Sequence, residues 1–191
     1  MKSILVIGAI VIFTLWMACE SSGDKPGDIK VNTSSGSIEY TPPDEWISEM
    51  PSSSMRKAQY KLPGKGNSGA AELAVFHFPG TGGSVDANLE RWYGQFTQPD
   101  GSPTRDHVEK KIIDANDLKV IVVYTTGIYL QSNSPMMGGP VEEKPDFAML
   151  AAIAESSQGP WFFKAVGPQQ TIDSWREEFG NFVKTFRKSA S

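Results

Sequence analysis

The 191-residue chain has one cysteine, Cys19, and two histidines, His77 and His107. A single thiol excludes a disulfide framework within the chain, and so small a stock of Cys and His excludes a Cys/His zinc site. Lys and Arg number 18 against 22 Asp and Glu, for a net charge of −4. The basic residues are scattered and form no stripe, so the electrostatic footprint of a DNA- or RNA-binding surface is missing. Long apolar runs are also scarce. The longest, Ile4 to Met17, falls short of the roughly 20 residues that a helix needs to cross a bilayer core.

That run has a purpose at its length. Residues 1–19, MKSILVIGAIVIFTLWMAC, combine a basic start at Lys2, an apolar stretch and a small residue before Cys19, the layout of an export signal. Trp16 suits ordinary signal peptidase badly. The ending Leu15-Trp16-Met17-Ala18-Cys19 resembles a bacterial lipoprotein signal, with Trp16 where such signals usually carry Leu. The resemblance implies removal of residues 1–18 and a diacylglyceryl group on the Cys19 thiol. Two acyl chains hold a protein on a membrane stably, at about 0.8 kcal/mol per buried CH2. Loss of Lys2 takes the net charge to −5, so the expected membrane contact is the lipid anchor alone. The expected address is the bacterial cell envelope, on the extracytoplasmic side.

Residues 19–37 read as a flexible tether of Ser, Gly, Asp, Lys and Pro, too polar to offset the entropy of ordering. A single domain is expected over residues 38–188. Its strands are read at Ser37 to Tyr40; at Arg56 to Leu62, where Ala58, Tyr60 and Leu62 alternate with Lys57, Gln59 and Lys61; and at Glu72 to Phe78, which should be central. Ser84 is the expected N-cap of a helix with Val85, Leu89, Trp92 and Phe96 on one stripe, stopped by Pro99 to Pro103. Val108 to Ile113 and Leu118 to Tyr129 read as a hairpin turned at Asp114 to Asp117. Gln131 to Pro145 reads as a long loop. Phe147 to Glu155 and Trp161 to Val166 form another strand pair. Ile172, Trp175, Phe179, Phe182, Val183 and Phe186 predict one closing helix with Lys184, Arg187 and Lys188 in its last turns.

This order predicts an α+β fold, a mainly antiparallel sheet with amphipathic helices on both faces. Tyr40-Thr41-Pro42-Pro43 with Trp46, the strand from Ala70 to Phe78, the Asn88-Leu89-Glu90-Arg91-Trp92 helix and the closing strand pair with its aromatic helix resemble the PsbP/Mog1-like α/β/α sandwich family across residues 38–188. Members of that family are accessory or binding proteins, so the resemblance implies a non-catalytic role.

No motif argues for an enzyme. Gly80-Thr81-Gly82-Gly83-Ser84 precedes a helix, where backbone amides attract anions. It lacks the Lys of a P-loop, and Val85 stands where a dinucleotide fingerprint needs Gly or Ala. An envelope hydrolase would have to use Ser84, but Gly82-Gly83-Ser84-Val85-Asp86 lacks the last glycine of a nucleophile elbow. A small-ligand or metal binder would use the Met136 to Pro140 loop, Met136 and Met137 being soft ligands that nothing pairs with histidine. Arg91 beside Trp92 places a guanidinium near the rim of the sheet. The candidate binding residues are therefore Arg91, Trp92, Met136 and Met137. No cofactor or metal is expected, and the expected partners are the membrane, through Cys19, and an envelope protein that the sequence does not identify.

Overall fold

The computed structural model describes residues 38–80, 83–132 and 140–189. The signal (1–18), Cys19, the tether, Thr81, Gly82, Met136 and Met137 lie outside the described residues. The fold is α+β, and every described strand pair is antiparallel. The strands among the described residues are β1 (Ile38–Glu39), β2 (Ile47–Glu49), β3 (Arg56–Leu62), β4 (Ala71–His77), β5 (Phe96–Thr97), β6 (Glu109–Ala115), β7 (Leu118–Ser132), β8 (Val141–Ser156), β9 (Gly159–Pro168) and β10 (Arg187–Lys188). The α-helices among the described residues are α1 (Val85–Tyr93), α2 (Gln169–Ser174) and α3 (Arg176–Lys184). The main sheet runs β2-β3-β4-β9-β8-β7-β5, with β6 also on β7, while β1 and β10 form a separate pair.

β4 is central, as its nearly unbroken apolar run predicts, since a strand covered on both sides cannot afford alternating polar residues. Successive residues of β8 and β9 enter two different apolar clusters. Leu150, Ala152, Trp161, Phe163 and Ala165 pack with Tyr60, Leu62, Leu73 and Val75 and with Ile172, Phe179, Phe182 and Phe186. Met149, Ala151, Ile153 and Phe162 pack with Leu89, Trp92 and Phe96. The first cluster has Tyr40 and Ile113 half-buried at its border. The second is open along one side, where Phe76, Phe78, Tyr129, Phe147 and Val166 are all half-buried.

Five expectations are corrected. The first helix ends at Gly94, whose N–H bonds the Glu90 carbonyl, well before Pro99. Phe96 therefore leaves the helical stripe and packs from β5, opposite Tyr129. The closing helix is two helices. Trp175 breaks it at φ −105°, ψ 3°, while its indole Nε1 donates to the Pro63 carbonyl at 2.9 Å. The apolar stripe continues across that break, so periodicity alone does not reveal it. Arg187 and Lys188 lie beyond α3, in β10 against Glu39 and Ile38.

The expected loop from Gln131 to Pro145 is largely strand. Tyr129 to Ser132 pair with Lys144 to Val141, and this two-stranded arm extends past the end of β9, whose pairing with β8 begins at Phe147. Val141 to Glu143 are exposed. An exposed strand segment has no reason to alternate, so Val141 to Glu143 read as loop. The β6–β7 turn is also tighter than Asp114 to Asp117. Asp114 and Ala115 pair with Lys119 and Leu118, leaving Asn116 at φ 53° and Asp117 to reverse the chain.

Candidate functional site

The open side of the second cluster is built around Lys164. On β9 it stands between Phe162 and Val166, flanked in register by Ala74 of β4 and Ala151 of β8. Both flanking alanines are buried. The Lys164 amine bonds Gln95 Oε1. It also lies 5.9 Å from the centroid of the Trp92 ring and 5.8 Å from that of Tyr129. Both distances fall within the range of cation–π attraction. α1 delivers Trp92 and, just past its C-cap, Gln95; β7 delivers Tyr129 where its bulge at Gly127 turns the arm.

Lys164 is half-buried, and among the described residues no carboxylate pairs with it. Desolvation lowers its pKa from 10.5 to about 7, and the positive charges of Arg91 and Arg56 push it the same way. A buried ammonium is normally paired or neutralised. Arg56 bonds Glu72 at 2.7 Å and lies 6.0 Å from the Phe76 ring centroid. Arg91 is exposed and donates to Asn88 Oδ1 at 2.6 Å. Tyr129 stacks on Phe147 with centroids 6.1 Å apart and planes 6° apart. Burial and the Glu72 carboxylate raise its pKa against the opposing Arg56 charge. The arrangement is a shallow, aromatic-walled surface with three cations and one carboxylate, and that carboxylate is already engaged.

Of the residues singled out from sequence, Arg91 and Trp92 meet at this surface, with Trp92 buried and Arg91 at its edge. Met136 and Met137 lie outside the described residues. Lys164 escaped the sequence reading, although it left a signal: the only charge in the otherwise apolar run from Trp161 to Val166. Ser84 is committed elsewhere. Its Oγ accepts from Ala87 N at 3.2 Å as the cap of α1, and its carbonyl accepts from Asn88 Nδ2 at 2.9 Å.

Two other clusters carry chemistry-bearing groups. Ser102 Oγ lies 2.7 Å from His107 Nε2 and donates to Asp100 Oδ1 at 2.6 Å. The hydroxyl has one proton, which the carboxylate takes, so the histidine must donate to Ser102 and does not act as its base. The Ser102 hydrogen bonds hold the Asp100 pKa down. This is a closed turn motif. The second is a cleft of about 150 Å³ between β6, β7 and α3, lined among others by Glu109, Tyr124, Arg176 and Phe179. There Arg176 sits 3.9 Å over the Tyr124 ring and pairs with Glu109 at 2.5 Å, and Tyr124 donates to Asp173 Oδ1 at 2.5 Å. Arg176 and Glu109 satisfy each other there, while Lys111, also in the lining, has no ion pair among the described residues.

Among the described residues no group of three or more His, Cys, Asp or Glu side chains could hold a metal ion, and no helix is long and apolar enough to cross a membrane.

No family model matches the chain, and no curated protein matches it. Solved structures similar to the chain include two from bacteria. A protein of unknown function, PA94 from Pseudomonas aeruginosa, described as a putative regulator, shares 8% identity at a TM-score of 0.48, covering 77% of this chain and 99% of its own. The cyanobacterial PsbP, CyanoP, from Synechocystis sp. PCC 6803 shares 10% identity at a TM-score of 0.46, covering 80% of this chain and 86% of its own.

Proposed function

We propose that the chain is a lipid-anchored, extracytoplasmic lipoprotein of the bacterial envelope whose single domain, residues 38–188, binds or scaffolds a partner without catalysing a reaction. The observation that carries this reading is the Leu15-Trp16-Met17-Ala18-Cys19 ending behind a short basic-apolar signal. The polar stretch of residues 19–37 supports it, because a tether lets a folded domain work at a distance from its anchor. The fold belonging to this reading is an α/β/α sandwich of the PsbP/Mog1-like kind, α1 covering one face and α2 with α3 the other. The alternation of β8 and β9 residues between the α1 cluster and the α3 cluster supports it.

The binding surface in this reading is the open side of the α1 cluster, with Lys164, Trp92, Tyr129 and Arg91. What favours it over the cleft at Tyr124 is charge: Lys164 and Arg91 have no carboxylate partner among the described residues, whereas Arg176 pairs with Glu109. Surplus charge on a partly buried surface is a common mark of a functional site.

The anchor is tested by changing Cys19 to Ser and fractionating cells. Release into the soluble fraction, or stalled processing, is the expected result; unchanged mobility and membrane association would sink the claim. Crosslinking and pull-down from native membranes tests the binding role, with a Lys164→Glu variant as the control that should lose the captured species.

A further inference from the structure

We propose that the outer edge of β6 joins two copies of this chain, strand against strand and antiparallel about Ile112, so that their main sheets run on as one.

Among the described residues β6 pairs with β7 and with no other strand. Every second N–H and C=O of its seven residues therefore points away from the sheet. Glu109, Lys110, Lys111 and Ile112 are exposed in succession, so solvent meets both sides of the strand. Ile112 is 65% exposed, although Ile121, directly opposite it on β7, packs on the α1 cluster. Lys110, Lys111 and Asp114 have no ion pair among the described residues. The opposite edge of the sheet, β2, spans only three residues, which is one way that an edge is blunted. β6 is the longer and more open of the two.

The sequence of this edge selects its partner. It reads Lys110-Lys111-Ile112-Ile113-Asp114. Laid antiparallel on itself with Ile112 opposite Ile112, it sets Lys110 opposite the partner's Asp114 at one end and repeats that pair at the other. Opposite charges facing across a ladder stabilise it, and like charges weaken it. Asp114 has Lys119 beside it on β7 without an ion pair, so in the joined sheet it stands between two lysines. A two-fold axis keeps each side of the sheet facing the same way, so the neighbouring registers are shifted by two residues. One of them centres on Lys111 and puts two lysines face to face. The other centres on Ile113 and puts Ile112 opposite Asp114. Both lose the charge pairs. Lysines on an edge commonly keep other strands away; these admit one register of their own sequence.

The other side of the strand agrees. Glu109, Lys111 and Ile113 line the cleft of about 150 Å³ beside α3. The register sets the partner's Ile113 opposite Lys111, next to this cleft. Gly180 of α3 also lines it, and a Cβ added there would meet nothing within 4 Å, so α3 leaves room on that side. Ile113, half-buried in a single copy, gains cover from the pairing.

The first experiment is sedimentation velocity on the full chain, purified in detergent. A monomer–dimer equilibrium is expected with a dissociation constant on the order of 10 to 100 μM, because pairing along one short edge buries less than a standard interface. Lys110→Asp and Asp114→Lys, both at exposed positions, should each weaken dimerisation by roughly tenfold, and the double variant should recover most of that loss. The second experiment reads the register by mild oxidation in a Cys19→Ser background, where the introduced thiol is the sole one. Ile112→Cys should crosslink to a dimer, since directly opposed residues lie within about 5.5 Å, inside the reach of a disulfide. Lys110→Cys should not, because the two copies of that position stand four residues apart along the ladder, about 14 Å. A single monomeric species up to about 500 μM overturns the proposal. So does dimerisation that is equal in the parent and both single variants, a double variant no better than either, or equal crosslinking at positions 110 and 112.

Discussion

His77 lies flat on Trp161, the two rings 4.5 Å apart at an interplanar angle of 11°. They are directly opposed across β4 and β9. The imidazole Nε2 is 3.2 Å from the Gln158 carbonyl, which can only accept, so the Nε2 atom carries the proton. Desolvation lowers the His77 pKa below 6.5, partly opposed by that hydrogen bond and aided by the Lys57 charge. A depressed folded-state pKa means that the folded protein prefers the neutral ring. The stabilisation is present above about pH 6.5 and is lost as pH falls through the folded value.

His77→Phe keeps the stack and removes the titration. The parent protein should lose stability more steeply than this variant between about pH 7 and pH 5. Urea midpoints at three pH values measure the difference, and parallel slopes would refute the assignment.

Lys164 has the same sign in a different window. Its folded pKa of about 7 lies below 10.5, so its contribution falls as pH drops from the upper value to the lower and is flat below. Lys164→Met should therefore gain stability relative to the parent as the pH is lowered across that window. Paired melting curves at pH 10 and pH 7 provide the check, the gain at pH 7 being on the order of a few degrees.

Ser84→Ala removes the side-chain acceptor at the start of α1. The expected cost is about 1 kcal/mol, a fall in melting temperature of about 2–4 °C. Ester turnover by the parent that vanished in this variant would instead revive a hydrolase at Ser84, so the same protein decides both questions.

Two glycines at positive φ should respond differently to alanine. At Gly80, φ 69°, an added Cβ meets open space, so only backbone strain of about 1 kcal/mol is expected. At Gly127, φ 148°, the Cβ would lie 2.6 Å from the Thr97 carbonyl oxygen and force β5 away from the base of the arm. Gly127→Ala should cost clearly more. Amide exchange at Leu130, whose N–H bonds the Gln95 carbonyl at 2.8 Å, should rise in that variant and not in Gly80→Ala.

Phe182 packs against Tyr40, Trp46, Phe163, Phe179 and Phe186 in the first cluster. Phe182→Ala should leave a cavity there and cost about 3–5 kcal/mol, read from denaturant midpoints. Tyr129→Ala, on the half-buried rim of the other cluster, should cost less because water can fill the space.

These contrasts also explain what the sequence could reveal. β3 and α1 were legible because each has one side in a core, Tyr60 and Leu62 against Lys61, Leu89 and Trp92 against Glu90 and Arg91, and β4 was legible as a nearly unbroken apolar run. The closing stripe of Ile172, Phe179 and Phe182 was legible for the same reason, but the turn at Trp175 was not, because a buried tryptophan fits the stripe whether or not the backbone continues as helix. The outer strand of the arm was invisible because Val141 to Glu143 are exposed on both sides. Arg91 and Trp92 were visible as a charged and aromatic pair on one helix. Lys164 became a site only through Gln95, 69 positions away, and through Tyr129 on a third element. Local patterns do not report such meetings.

The two-residue pairing of β1 with β10 sets an order of events. Arg187 and Glu39, 148 positions apart, bond at 2.9 Å, and Ile38 is fully buried opposite Lys188. Closing so long a loop carries a substantial entropic cost unless the chain between is already folded. A polypeptide made from its N-terminus therefore holds Ile38 unpartnered until its last strand emerges. This short ladder acts as a latch, and a chain cut before Arg187 would retain most of the main sheet while leaving its entrance strand loose.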